Sequence, residues 1–225
     1  MVYKITEKRN RVFIEAIILT AILLLIGFVL GYMVESYRTN KVITEYRENE
    51  ISALDLKLQN YYYQIMDQQA CDAAIKQNFI FADKIYNEGL AIEKFEEANQ
   101  LTENIISEKR RYSLLKTELW LNSILLKEKC DQPFDTLVYL YSHDPSDNAL
   151  QAQQQIISNV LRDVKAEKGD TVILLPIAGD MDLGIVDLQM RIHKVTSLPS
   201  IIINEEVVLE GYHSSEEILS YFESK

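Results

Sequence analysis

The sequence predicts a mixed α/β protein. A C-terminal domain of order β-α-β-α-β-β-α stands behind an N-terminal transmembrane helix and an α-helical hairpin or bundle. Three observations predict this. One long apolar stretch lies near the N-terminus. Residues 35–130 contain no proline and one glycine, Gly89, with apolar residues at helical spacing. After residue 134, short β-like runs alternate with helical ones.

The apolar stretch, residues 12–34, reads VFIEAIILTAILLLIGFVLGYMV and holds one charge, Glu15. About 20 apolar residues cross the hydrocarbon core of a bilayer. A cleaved signal peptide has a shorter apolar region, roughly 7–15 residues, and ends at a small-x-small site. Here Gly31-Tyr32-Met33-Val34-Glu35 follows, so an uncleaved anchor is expected. Residues 1–11 carry Lys4, Lys8, Arg9 and Arg11 against Glu7. The positive-inside rule puts this basic segment in the cytoplasm and the body outside the plasma membrane. Arg38, Lys41 and Arg47 weaken the asymmetry without cancelling it.

Gly27 and Gly31 form G-x-x-x-G, which lets a second helix approach closely. Helix–helix contact and a homodimer through the membrane helix would follow. Glycine is also common in such helices without any partner, and both readings stay open.

The net charge is −11, and phosphate binding needs a basic face, so a nucleic-acid partner is not expected. With 48% apolar and 25% charged residues the chain is not a disordered one. No Gly-rich phosphate loop or Ser/His/Asp arrangement is readable, which lowers the odds of an enzyme. No cofactor is expected.

In residues 35–130, three apolar stripes step by three and four: Ile51, Leu54, Leu58, Tyr61 and Ile65; Ile75, Phe79, Ala82 and Tyr86; Leu101, Ile105, Tyr112, Leu115, Leu119 and Leu126. They predict helices packed on helices. The first continues from the membrane to about residue 69 and the second ends near Gly89. The third reaches about residue 128. Tyr61-Tyr62-Tyr63 covers most of a helix circumference, as core plus interface.

From 134 to 225 the order is read element by element. DTLVYLY (135–141) is a buried strand, and residues 147–167 are a helix with Leu150, Ile157, Val160, Leu161 and Val164 on one side. Lys168-Gly169-Asp170 stops it. TVILLPIAGD is a second strand and LGIVDLQMRIHKV a short helix. IIIN and VVLE make a close pair, and SSEEILSYFES is a final helix with Ser214 and Glu217 spaced as a capping box.

The segment VTSLPSIIINEEVVLEGY, set in that order, resembles the thioredoxin fold over about residues 134–224. The resemblance implies a cis-proline at Pro199, a third strand at Ser200–Ile203, a turn at Asn204-Glu205-Glu206, a fourth strand at Val207–Leu209 and the following glycine at Gly211. Active members carry Cys-x-x-Cys between the first strand and the first helix. Asp144-Pro145-Ser146-Asp147 occupies that place here. A carboxylate does no thiol exchange, so the resemblance implies a redox-inactive member with no catalytic residue at this junction.

Local stability explains these residues: Asp144 as N-cap, Pro145 at the first helical position, Asp147 in the first turn. His143, Asp144 and Asp147 offer three metal donors but no fourth, so no metal is expected. Paired carboxylates for hydrolysis lack a readable cleft. His193 and His213 read as surface residues.

Cys71 and Cys130 are 59 apart and lie in the helical region. Antiparallel helices would bring them together, and an extracytoplasmic compartment permits a structural disulfide. Two buried thiols and a reactive pair are the alternatives. The sequence thus points to a membrane-anchored binding or scaffold module for membrane or exported proteins. A structural subunit of a membrane complex, and a divergent thiol-disulfide oxidoreductase using Cys71 and Cys130, are the other readings.

Overall fold

Proline is absent from residues 35–130, so no ring removes a backbone donor from the long helices there. The computed structural model describes the backbone of residues 3–98, 103–131, 134–145 and 147–223. It describes the side chains of 15–33, 50–89, 106–131, 134–145 and 147–222. The chain forms two units, Met1–Leu54 and Asp55–Lys225.

From Tyr3 onward the first unit is helical and belongs to α1 (Tyr3–Ile65). Within it Glu15–Met33 is long and apolar enough to cross a membrane, and its side chains are exposed. By length and composition this helix fits a membrane anchor or a signal sequence. Thr20 donates to the Ala16 carbonyl at 2.9 Å, which satisfies its hydroxyl inside the apolar stretch. The basic side chains of residues 1–11 lie outside the described residues.

The second unit begins with the last turns of α1. A short 3-10 turn, Gln68–Ala70, leads into α2 (Cys71–Ala98), and α3 (Glu103–Cys130) follows. The predicted apolar stripes on α1 and α2 are not the faces that pack. Leu56, Tyr63 and Met66 are buried, while Leu58, Tyr61 and Ile65 are exposed; Ile51 and Leu54, in the first unit, are exposed too. Among the described residues of α2 the buried positions are Cys71, Ala74, Asn78, Phe81 and Ile85. Phe79, Ala82 and Tyr86 instead line a cleft with Arg162, Lys165 and Ile173.

The reason is a polar seam. Asn60 donates to Asn122 Oδ1 at 2.5 Å, Asn122 to the Leu56 carbonyl at 3.4 Å, and Asn78 to Ser123 Oγ at 2.9 Å. Buried amides and hydroxyls that bond each other mark a packing face that a count of apolar residues passes over. On α3, Tyr112, Leu115, Leu119 and Leu126 are buried as the stripe predicts. Leu101 and the Ile105 side chain lie outside the described residues.

α2 does not break at Gly89. A Cβ there would run into the hydroxyl of Tyr112, which donates to the Ile85 carbonyl. The glycine admits the close approach of α3 rather than ending the helix.

The remaining elements are β1 (Asp135–Tyr141), α4 (Asn148–Lys168), β2 (Val172–Ala178), α5 (Gly184–Ile192), β3 (Ser200–Ile203), β4 (Val207–Glu210) and α6 (Ser215–Glu223). The sheet order is β2-β1-β3-β4, with β1 parallel to β2 and antiparallel to β3, and β3 antiparallel to β4. Pro176 sits on the edge strand β2, where a missing N–H need not break a ladder bond. Leu137, Tyr139, Ile201, Ile203 and Val172 form one core with Ile157, Leu161 and Val164 of α4 and Ile218 and Phe222 of α6.

Strand alternation puts Val138, Leu140, Ile173, Leu175 and Ile202 on the other face, where α3 packs on β1 and β2 and α5 packs against α3. Thus α3 serves two partners. It packs on α2 and also covers the sheet. Its Lys116, 4% exposed, donates to the Pro176 carbonyl, with the ammonium 4.1 Å from the Tyr112 ring centroid. Its Lys127 reaches the three-residue β3–β4 turn Asn204-Glu205-Glu206, where Asn204 (φ 51°) and Glu205 (φ 62°) take left-handed backbone and Glu206 N donates to the Ile203 carbonyl.

Candidate functional site at one end of the sheet

Register decides what meets. Tyr141 pairs with Ala178, Leu140 with Ser200, and Ser200 with Glu210. The segments after β1 and β2, before β3 and after β4 therefore leave the sheet at the same end. Ligands of α/β sheets commonly sit beyond the carboxyl ends of parallel strands.

Backbone bonds tie these segments together. Gly179 N donates to the Tyr141 carbonyl at 2.8 Å, and Gly211 N to the Pro199 carbonyl at 2.9 Å. The Leu198 methyls would stand 3.0 Å from a Cβ at Gly179, so the missing side chain lets the loop before Pro199 close onto β2. Leu198-Pro199 is cis and Pro199 is buried. Ser200 Oγ donates to the Ser197 carbonyl at 2.6 Å. The Glu210 carboxylate accepts from Thr196 N at 3.1 Å and Thr196 Oγ1 at 2.5 Å. Bonds to Thr196, and then to Ser197, hold its pKa below the ordinary carboxylate value.

The β1–α4 junction is held from two sides. Asp180 accepts from Ser142 Oγ at 2.5 Å and from His143 N at 2.7 Å. Gln154 of α4 brackets Ser142, accepting from its N–H at 2.7 Å and donating to its carbonyl at 3.1 Å. Lys109 Nζ lies 3.2 Å from His143 Nδ1.

The helix start differs from the sequence reading. Asp147, not Asp144, is the N-cap: its Oδ1 accepts from Leu150 N at 2.7 Å. Asp147 has extended backbone (φ −151°, ψ 165°), so no helix can begin before it, and Pro145 is not a first helical residue. Asp144 is exposed and Pro145 half-buried. Ser146 lies outside the described residues.

His143, Asp144 and Asp147 do not converge on a point, since His143 faces Lys109 and Asp147 caps α4. Among the described residues no group of three His, Cys, Asp or Glu is arranged to hold a metal. His193 is half-buried and stacks on Trp120 at 5.3 Å, and His213 pairs with Glu217 at 2.9 Å.

The cysteines are elsewhere. Cys71 opens α2, Cys130 closes α3, and the two are joined by a disulfide of 2.03 Å. Both are buried. Cys130 precedes β1, whereas the Asp144–Asp147 segment follows it. A seven-residue strand rises about 20 Å between its ends, so the sulfurs lie toward the other end of the sheet. Gly27 and Gly31 are exposed in the first unit, with nothing within 4 Å of either Cβ position.

Sequence reasoning missed Asp180, Gln154, Lys109 and Glu210. Gly179-Asp180 at a strand end was the one readable signal: a small residue for close approach, then a short acceptor able to bind free N–H groups.

No family model matches this chain, and no curated protein matches it. Among the solved structures similar to part of it are the following two. A malarial protein shares 17% identity, covering 40% of this chain and 94% of its own, with a TM-score of 0.30. Chloroplastic thioredoxin z shares 15% identity over 46% of this chain and 90% of its own, with a TM-score of 0.34. Neither value assigns a function.

Proposed function

We propose that this chain is a membrane-anchored binding protein whose thioredoxin-like domain lacks thiol chemistry at its usual place. In this reading the N-terminus is cytoplasmic, the body lies outside the plasma membrane, and the sheet end beside Pro199 holds extended segments of membrane or exported proteins. The observation that carries it is the β1–α4 junction. Two carboxylates stand there, no thiol does, and Asp180 and Gln154 hold the backbone in place.

Thiol exchange needs a thiolate as nucleophile. The oxidoreductase alternative would have to use Cys71 and Cys130, which are buried, bonded to each other and placed before β1. A pre-ordered, thiol-free sheet end suits binding, because an ordered loop lowers the entropy cost of docking a peptide.

The test is peptide binding to the full-length protein in detergent micelles, read by fluorescence anisotropy on a library of extended peptides. Binders should appear. Tyr212→Ala, which removes an exposed ring next to Gly211, should weaken them about tenfold, or about 1.4 kcal/mol. Absence of any binder, together with reversible dithiol turnover at mild potential, would replace this reading with the oxidoreductase.

A further inference from the structure

The last turns of α1 carry an apolar face that no described residue of the second unit covers. Leu58 is 64% exposed, Tyr61 62%, Tyr62 51% and Ile65 82%. These residues step by three and four, the spacing of a coiled-coil seam, and the spacing runs back in sequence through Leu54 and Ile51. The opposite face already packs inward through Leu56 and Tyr63. The helix therefore has two apolar faces, and one is satisfied.

Three features select the occupant. Residues 58–66, LQNYYYQIM, contain no charge in a chain of net charge −11. Two copies of most other surfaces would bring carboxylates together, and this stretch brings none. Next, the four side chains expose on the order of 500 Å², so a symmetric pair buries about 1,000 Å², the lower limit for a specific interface. Finally, this face lies on the same helix as the apolar segment Glu15–Met33. Anchoring in one membrane makes the copies parallel and raises their effective concentration.

We propose that Leu58, Tyr61, Tyr62 and Ile65 form a self-association surface that pairs, in parallel, with the same face of a second copy of this chain. The pairing is isologous, each residue meeting its equivalent across a two-fold axis. It uses the anchored part of the reading above and none of the peptide part, so failure to bind peptides leaves it standing.

The experiment is sedimentation of the full-length protein in detergent across protein-to-detergent ratios, paired with photo-cross-linking from a benzophenone side chain at Tyr61 in membranes. A dimer is expected, with a cross-linked product of twice the chain mass. Leu58→Glu with Ile65→Glu should raise the dissociation constant at least tenfold while circular dichroism and the unfolding midpoint stay unchanged. If that variant loses helicity, Leu58→Ser with Ile65→Ser makes the same comparison. Gly27→Leu with Gly31→Leu should leave the dimer intact. The proposal is overturned by a monomer at every ratio, by a dimer equally tight in the seam variants, by a dimer lost only on glycine replacement, or by cross-links solely to a different protein.

Discussion

Lys127 Nζ lies 2.7 Å from Glu205 Oε2, and each side chain is 17% exposed. The pair joins the end of α3 to the turn between β3 and β4. Glu205 also accepts from Trp120 Nε1 at 2.8 Å and Thr136 Oγ1 at 2.6 Å. Lys127 further donates to Thr136 Oγ1 and Asn204 Oδ1. One carboxylate thus satisfies three donors from α3 and β1.

Removing that carboxylate leaves partly buried donors without it. Glu205→Ala should cost about 3 kcal/mol in urea unfolding. Lys127→Met alone should also destabilise. The double variant should lose less than the sum, since the second change removes a group already stranded. Additive losses in the cycle would show that the two residues do not act as a unit.

Gly89→Ala should destabilise by about 1–2 kcal/mol, although alanine is the better helix former by about 1 kcal/mol. The added methyl meets Tyr112. In a Tyr112→Leu background the same change should be neutral or stabilising. A Gly89→Ala protein as stable as wild type would refute the close contact.

Replacing Cys71 and Cys130 by serine opens a loop spanning 59 positions and should cost about 2–4 kcal/mol. Because the sulfurs lie toward the other end of the sheet, peptide affinity of the folded variant should stay within about twofold of wild type. A large affinity loss at a temperature where the variant is folded would place the disulfide within the binding function.

Glu210 sets an acid limit on the loop before Pro199. Its folded pKa is depressed by bonds to Thr196 and Ser197. The stabilisation is present above the unfolded carboxylate pKa, about 4.3, and is lost as pH falls from there through the lower folded value. The protection factor of the Thr196 amide should fall over that acid range in wild type. In Glu210→Gln it should be lower at neutral pH and insensitive to acid. Identical profiles would remove the carboxylate from the account.

The C-terminal elements were legible because their signals are local. Gly169 follows the last turn of α4, Asn204-Glu205 turns the β3–β4 hairpin, and the alternation of strand and helix runs is plain in the chain. Ser214 Oγ does accept from Glu217 N at 3.3 Å, although the Glu217 carboxylate turns to His213. The bundle faces were not legible, because Asn60 and Asn78 are polar residues whose side chains bond Asn122 and Ser123 across the bundle. Their partners lie 45 and 62 positions away, beyond any periodicity. The site was half legible. The sequence marked the Asp144–Asp147 segment and Pro199, while Asp180, Gln154 and Glu210 acquire meaning only once register brings four segments to one end.

Because α3 is shared, the sheet is not a cassette. A graft that begins at residue 134 would carry Val138, Leu140, Leu175 and Ile202 without the helix that roofs them, and would leave Lys127 and Trp120 behind. The transplantable piece begins instead at the last turns of α1, near Asp55. Modularity in this chain follows the layers of the fold, not the point where the composition changes from helical to β-like.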